Sequence, residues 1–153
     1  MGSGISIAKV GHIVLKVENL DRALGFYCGV LGLKEVARRD FGQGTMAFLS
    51  TGDTHHDVAL VEIGEGATVA PDTSIGMHHV ALKVGDSLEQ LALAKQHVEA
   101  HGTPVHMVLD HRVSQGMYVS DPDGNLLELY VDADEAVWRA DPTVVANSDP
   151  IEL

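Results

Sequence analysis

The chain has 153 residues, enough for one domain or two small halves that share a core. Ten Lys+Arg against 22 Asp+Glu leave a net charge of −12, which argues against nucleic acid or an anionic membrane as the main partner. Apolar residues make up 45%, too many for a disordered chain, and the single cysteine, Cys28, permits no internal disulfide. The unusual figure is nine histidines, almost as many as lysine and arginine together. Histidine is the commonest metal ligand and the side chain that titrates near neutral pH, so its placement along the chain is the informative quantity.

Met1-Gly2-Ser3-Gly4 reads as a short loose start. Met1 to Lys9 lacks the basic-then-apolar pattern of a secretory signal, and no apolar run approaches the roughly 20 residues of a membrane span. A soluble cytoplasmic protein is expected. The chain then repeats itself: Gly11-His12-Ile13-Val14-Leu15-Lys16-Val17 is echoed by His78-His79-Val80-Ala81-Leu82-Lys83-Val84. A helical stretch follows each copy, with Leu20, Leu24, Tyr27 and Leu31 on one face in the first and Leu88, Leu91, Ala94 and Val98 in the second. Asp86 with Glu89 suggests a capping box, and Gly102 a helix stop.

Three strand-like runs follow each helix. They lie near Leu33–Arg39, Thr45–Ser50 and His56–Ile63, and again near Val105–Leu109, Gly116–Ser120 and Asn125–Val131. Asp121-Pro122-Asp123-Gly124-Asn125 has the composition of a turn, and the Gly/Thr-rich stretch Gly64–Gly76 separates the halves. The expected class is α+β: two tandem βαβββ modules, about 8–64 and 77–132, with a surface-wrapping or disordered tail over 133–153. Together the modules would make one domain, an open curved mixed sheet around a metal site with the helices outside.

Strand alternation then sorts the histidines. Ile13, Leu15 and Val17 share a face suited to packing under a helix, which leaves His12 on the other with Val10 and Val14. In the second copy Val80, Leu82 and Val84 take the helix-packed face and His79 the other, so the repeat selects His79 over His78. Two histidines at matching positions of a duplicated unit can converge across a pseudo-two-fold axis. Glu128 is one acid in the apolar run Leu126–Val131, costly unless it is paired or metal-bound.

Its 49-residue spacing from His79, counted from His12, falls near residue 61, and matching the apolar patterns sets Leu60 opposite Glu128. The ligands would then be His12, His79 and Glu128 with open positions, a set suited to Fe(II). If Glu62 points inward as a fourth ligand, a Zn- or Ni-type Lewis acid fits better. One histidine at a strand start is ordinarily a surface or core residue, and one buried glutamate an ion-pair partner; the repeat is what sets this trio apart. His56, sharing a face with Leu60, can look into the same cavity. His111, in a loop, and Tyr118, ten residues before Glu128, are further candidates, and His55, His97, His101 and His106 have no such pattern.

These segments resemble the vicinal oxygen chelate superfamily, from about Val10 to Val131. The module openings carry the general likeness: Gly11–Val17 with Phe26-Tyr27-Cys28-Gly29-Val30-Leu31-Gly32-Leu33, and Met77–Leu82. Three further segments resemble the type I extradiol (catechol 2,3-dioxygenase-like) ring-cleaving dioxygenases: His56–Leu60, Asp110–Ser114 and Tyr118–Glu128. That resemblance implies Fe(II), or Mn(II), on His12, His79 and Glu128. It implies His56 as acid/base, with Tyr118 and His111 bonding to substrate oxygens, and a catechol-type diol and O₂ as partners. It also implies a homodimer by family habit. The competing readings are a glyoxalase-like lyase or isomerase with a redox-inert metal, and a non-enzymatic small-molecule binder.

Overall fold

A computed structural model describes residues 4–42, 44–71 and 73–153. The reading of the first residues as a loose start falls, except for Gly4, outside them. The chain divides into two compact units between Ala67 and Thr68, inside the expected Gly64–Gly76 boundary. Among the described residues no helix is long and apolar enough to cross a membrane.

The first unit runs β1 (Ile13–Val17), α1 (Leu20–Tyr27), β2 (Lys34–Asp40), β3 (Thr45–Ser50) and β4 (Val58–Glu62). Its sheet order is β1-β4-β3-β2, with β1 and β4 parallel and the rest antiparallel. Leu15 and Val17 are buried while Val14 is half-exposed, as the alternation predicts. Helix α1 buries Leu20, Ala23, Leu24, Phe26 and Tyr27 against β3 and β4. Full burial of an aliphatic or aromatic side chain of this size contributes roughly 1.5–3 kcal/mol. Asn19 caps α1 by accepting from the Arg22 amide at 2.8 Å. Leu31, expected on the helix face, falls beyond the helix end. Strand β2 is exposed along its whole length and carries Lys34, Glu35, Arg38, Arg39 and Asp40, charges that discourage pairing at a sheet edge.

The second unit repeats the order: β5 (Val80–Gly85), α2 (Leu88–Ala100), β6 (Met107–Asp110), β7 (Ser114–Ser120) and β8 (Leu126–Asp132). Its sheet is β5-β8-β7-β6, again with the first pair parallel, extended at the edge by a short β9 (Asp149–Pro150). The expected α+β class and duplicated βαβββ pattern are therefore present, as two open mixed sheets of four and five strands.

Local details correct the sequence reading. The N-cap of α2 is Ser87, whose hydroxyl accepts from the Gln90 amide, and Gln90 Oε1 accepts from the Asp86 amide at 2.6 Å. The capping pair thus sits one residue later than the expected Asp86/Glu89. Leu91 and Val98 are buried in α2, whereas Leu88 is exposed. Gly102 does end the helix. Its φ of +79° lets its amide reach the Glu99 carbonyl (3.0 Å) while Thr103 reaches Val98 (3.0 Å). The register of β5 slips between Lys83 and Gly85, which takes Val84 out of the helix-packed alternation and leaves it exposed. Asp121, nearly buried, anchors the expected turn by accepting from the amides of Asp123 and Asn125. The tail is folded: α3 (Glu135–Ala140), a 3-10 turn (Pro142–Ala146) and β9.

Candidate functional site

The candidate residues fall in two groups, one per unit. In the first unit His12 stands one residue before β1. Its ring lies 4.4 Å from that of His56 between centroids, and His56 meets Phe48 edge-on at 5.4 Å. Phe48 pairs across the ladder with Ala59, so His56 belongs with Ala59 and not with Leu60. The expected sharing of a face with Leu60 fails because β4 begins only at Val58, and strand alternation does not extend back to residue 56.

What places His56 is the loop before β4. The Asp57 carboxylate accepts from the Thr51 amide (2.8 Å), the Thr51 hydroxyl (2.9 Å) and the Thr54 hydroxyl (2.7 Å). These bonds, the Thr51 amide foremost, hold the Asp57 carboxyl below its ordinary range. The His56 imidazole is shifted down, by partial loss of hydration first and then by the neighbouring His12 and His55 rings. His55 Nδ1 lies 2.6 Å from His56 Nδ1, so one ring donates and the other accepts.

Asp57→Ala is expected to lower stability by about 1 kcal/mol near neutral pH, the scale of a partly exposed charged hydrogen-bond set. Because the folded state depresses this carboxyl, the stabilisation is present above its unfolded value of 3.8 and fades as pH falls through the folded one. Urea midpoints of the wild type and variant should therefore converge on acidification.

In the second unit Glu128 and Tyr118 face each other directly across β8 and β7. Glu128 is 7% exposed, and among the described residues the imidazoles of His79 and His111 lie beside its carboxylate. His79 Nε2 lies 3.2 Å from Oε2, and His111 Nε2 lies 3.8 Å from Oε1. Tyr118 meets the His79 ring edge-on at 5.4 Å, and its hydroxyl lies 3.0 Å from His111 Nε2. Burial, then the charge of and a hydrogen bond to Glu128, push the Tyr118 phenol up to about 12, so it stays a proton donor. His111 Nδ1 lies 2.7 Å from the Asn147 carbonyl, and His79 Nδ1 lies 2.8 Å from His78 Nδ1.

The strand registers decide which residue of the first unit corresponds to Glu128. Val80 pairs with Leu127 and Ala81 with Glu128, as Ile13 pairs with Val58 and Val14 with Ala59. Ala59 is the counterpart, one position short of the expected Leu60, and a buried methyl supplies no ligand. Glu62 takes the face of Val58 and Leu60, and its Oε1 accepts from the Leu20 amide (3.0 Å) at the start of α1. It is employed as a helix cap, on the face opposite to that of Ala59.

A nearly buried carboxylate opposed by imidazoles fits a divalent cation that would neutralise it, and nitrogen plus oxygen donors suit a divalent first-row metal. Among the described residues no three His, Cys, Asp or Glu side chains make a complete metal cluster; His79 and Glu128 form a pair. His97 and His101 stack on the outside of α2, and His106 bonds to Ser120, apart from either group.

Four contributors carried no clear sequence signal: Asp57, the His78 partner of His79, the Asn147 carbonyl, and Gly116. Gly116 leaves room beside the Glu128 carboxylate, and a glycine inside a strand was the available hint.

Residues 9–129 match the Glyoxalase/Bleomycin resistance protein/Dioxygenase superfamily. The chain belongs to that superfamily. It is 34% identical over 133 residues to a catechol-2,3-dioxygenase of Bacillus subtilis (strain 168), covering 86% of this chain and 44% of that protein. The chain thus spans less than half the length of this relative. It is 31% identical over 122 residues to a lactoylglutathione lyase of Neisseria meningitidis serogroup A, covering 76% of this chain and 86% of the lyase. A glyoxylase/bleomycin resistance protein/dioxygenase domain from Frankia sp. EAN1pec superposes with a TM-score of 0.72 at 21% identity, over 84% of this chain and all of that one. Extradiol dioxygenases, glyoxalases and fosfomycin resistance proteins share this superfamily, and members bind divalent metals, manganese among them.

Proposed function

We propose that the protein is an extradiol-type dioxygenase that opens a catechol-type ring beside the diol, incorporating both atoms of O₂. The observation that carries this reading is the buried Glu128 carboxylate beside His79, with Tyr118 and His111 around it, while Ala59 replaces its repeat counterpart. A two-histidine, one-carboxylate set leaves positions open for two incoming molecules, whereas a four-ligand Lewis-acid site needs the second carboxylate that Glu62 spends on α1. In this reading His79 and Glu128 are two ligands, and His12, the counterpart of His79 by repeat register, is the third. When bound, Fe(II) or Mn(II) supplies the electronic coupling between diol and O₂.

The remaining work belongs to the protein. His56, whose basicity is lowered by partial loss of hydration first and then by the His12 and His55 rings, accepts a proton from the diol hydroxyl and returns one later. The protonated Tyr118 hydroxyl donates to oxygen that gains negative charge. The burial of Glu128 keeps water from competing for it.

The test is O₂ uptake on a panel of catechols after anaerobic iron loading. Stoichiometric uptake with a coloured ring-opened product is expected, and no uptake from an iron-replete sample with any catechol overturns the reading. His56→Ala should lower turnover roughly 10²–10⁴-fold at unchanged metal content, and parallel loss of both would remove its acid/base role.

A second reading has one observation in its favour: the chain covers 86% of the lactoylglutathione lyase but 44% of the catechol dioxygenase. A glyoxalase-like lyase would turn over a hemithioacetal at the same rate with O₂ removed.

A further inference from the structure

We propose that the C-terminal segment Asn147–Ile151 is the positioning element for His111, fixing which ring nitrogen faces Tyr118 and Glu128. Strand β9 pairs with the outer edge of β6 through Leu109–Pro150 and Asp110–Asp149, and the Ile151 amide donates to the Val108 carbonyl at 3.1 Å. The segment is therefore attached immediately beside the strand that leads into His111. That attachment brings the Asn147 carbonyl to 2.7 Å from His111 Nδ1. A carbonyl oxygen only accepts, so Nδ1 carries the proton. In the neutral imidazole the lone pair is then on Nε2, 3.0 Å from the Tyr118 hydroxyl and 3.8 Å from Glu128 Oε1.

The loop between β6 and β7 is built to hold this arrangement. His111 donates its amide to the Ser114 carbonyl at 2.9 Å, closing a tight turn. Arg112 is the non-glycine residue with positive φ (+66°) among those described, a conformation that disfavours an L side chain by about 1–2 kcal/mol. Glycine would fill that position without strain. Arginine instead supplies a guanidinium that bonds to Asp149 Oδ2 at 2.9 Å, a second tie between the loop and β9. This ion pair is exposed and weak on its own, so the strand pairing is the main attachment and Arg112–Asp149 sets its register.

Free of the tail, His111 would take the tautomer that an isolated histidine prefers, with the proton on Nε2. That nitrogen would then donate towards Tyr118, and the phenol would lose one of its two acceptors. The consequence for turnover rests on the role of His111 in the extradiol reading; the tautomer itself does not.

Both can be measured on full-length protein labelled with ¹⁵N-histidine, in alkaline buffer where the imidazoles are neutral. His111→Gln assigns its ring signals. The wild type should show a protonated Nδ1 and a lone-pair Nε2 at His111. The double variant Asp149→Ala/Ile151→Pro releases the segment at its ion pair and at its backbone amide, and should move the ring towards protonated Nε2. Arg112→Gly keeps the strand bonds and relieves the backbone strain while removing the side-chain tie; it should give an intermediate mixture. In both, turnover should fall about tenfold at unchanged metal content. A wild-type His111 with lone-pair Nδ1, or a tautomer unmoved in the double variant, overturns the proposal. A wild type that shows the expected tautomer but consumes no O₂ overturns only the extradiol reading.

Discussion

Glu128→Ala is expected to abolish metal binding and turnover together, and to leave the apo fold as stable as the wild type or more so. Outer partners of metal ligands already contribute about 10–100-fold in affinity, so removing a ligand itself should cost at least about a hundredfold. The stability expectation has a separate cause. Glu128 is 7% exposed, and a buried carboxylate costs free energy unless a countercharge or a metal offsets it. Without a cation it is a liability to folding, and the wild type should gain thermal stability on metal addition that the variant does not. Tyr118→Phe separates the neighbouring role: the ring keeps its edge-on contact with His79, so metal should stay while turnover falls about 10²–10³-fold. Chelator competition with calorimetric melting checks both. A Glu128→Ala protein that retains wild-type metal content would remove the carboxylate from the ligand set.

The parts of this protein legible in its sequence were those written as periodic pattern. The seven-residue echo exposed the duplication, and the alternation of buried Leu15 and Val17 against exposed Val14 singled out His12 and, through the echo, His79 as candidates. The misreadings cluster where pattern is a poor guide to hydrogen bonding. Apolar matching equated Leu60 with Glu128, but ladder register equates Ala59, since Val, Ala and Leu are interchangeable as apolar symbols and not as positions. The α2 cap slipped by one because Asp86, Ser87, Glu89 and Gln90 offer overlapping capping pairs, and only geometry chooses between them. The tail was opaque because it buries little of its own; its order comes from pairing with β6, a non-local contact without local signature. His111 and Tyr118 drew their roles from family likeness, and the folded chain joins them at 3.0 Å.

Gly116→Ala is expected to lower metal affinity about 10–100-fold without unfolding the second unit. The backbone at Gly116 lies outside the left-handed region, so alanine can adopt it, and in a strand alanine is favoured over glycine by roughly 0.5–1 kcal/mol. The obstacle is what the new methyl would meet. A Cβ there would stand 2.9 Å from Glu128 Cγ and 3.0 Å from Cδ, and closer still to Oε1. Glu128 has little room to retreat, with Tyr118 directly across the ladder and His79 at 3.2 Å on its other oxygen. Its carboxylate must rotate away, and a ligand displaced by a few tenths of an ångström loses the geometry that second-shell support exists to protect. Gly102→Ala is the contrasting control. Nothing lies within 4 Å of its would-be Cβ, but its φ of +79° is strained for any side chain. That variant should lose about 1 kcal/mol of stability with metal affinity intact. Loss of affinity without loss of stability at 116, and the reverse at 102, would separate a glycine kept for space from one kept for conformation. Wild-type metal affinity in Gly116→Ala would mean that the carboxylate does not ligate from the position it occupies beside β7.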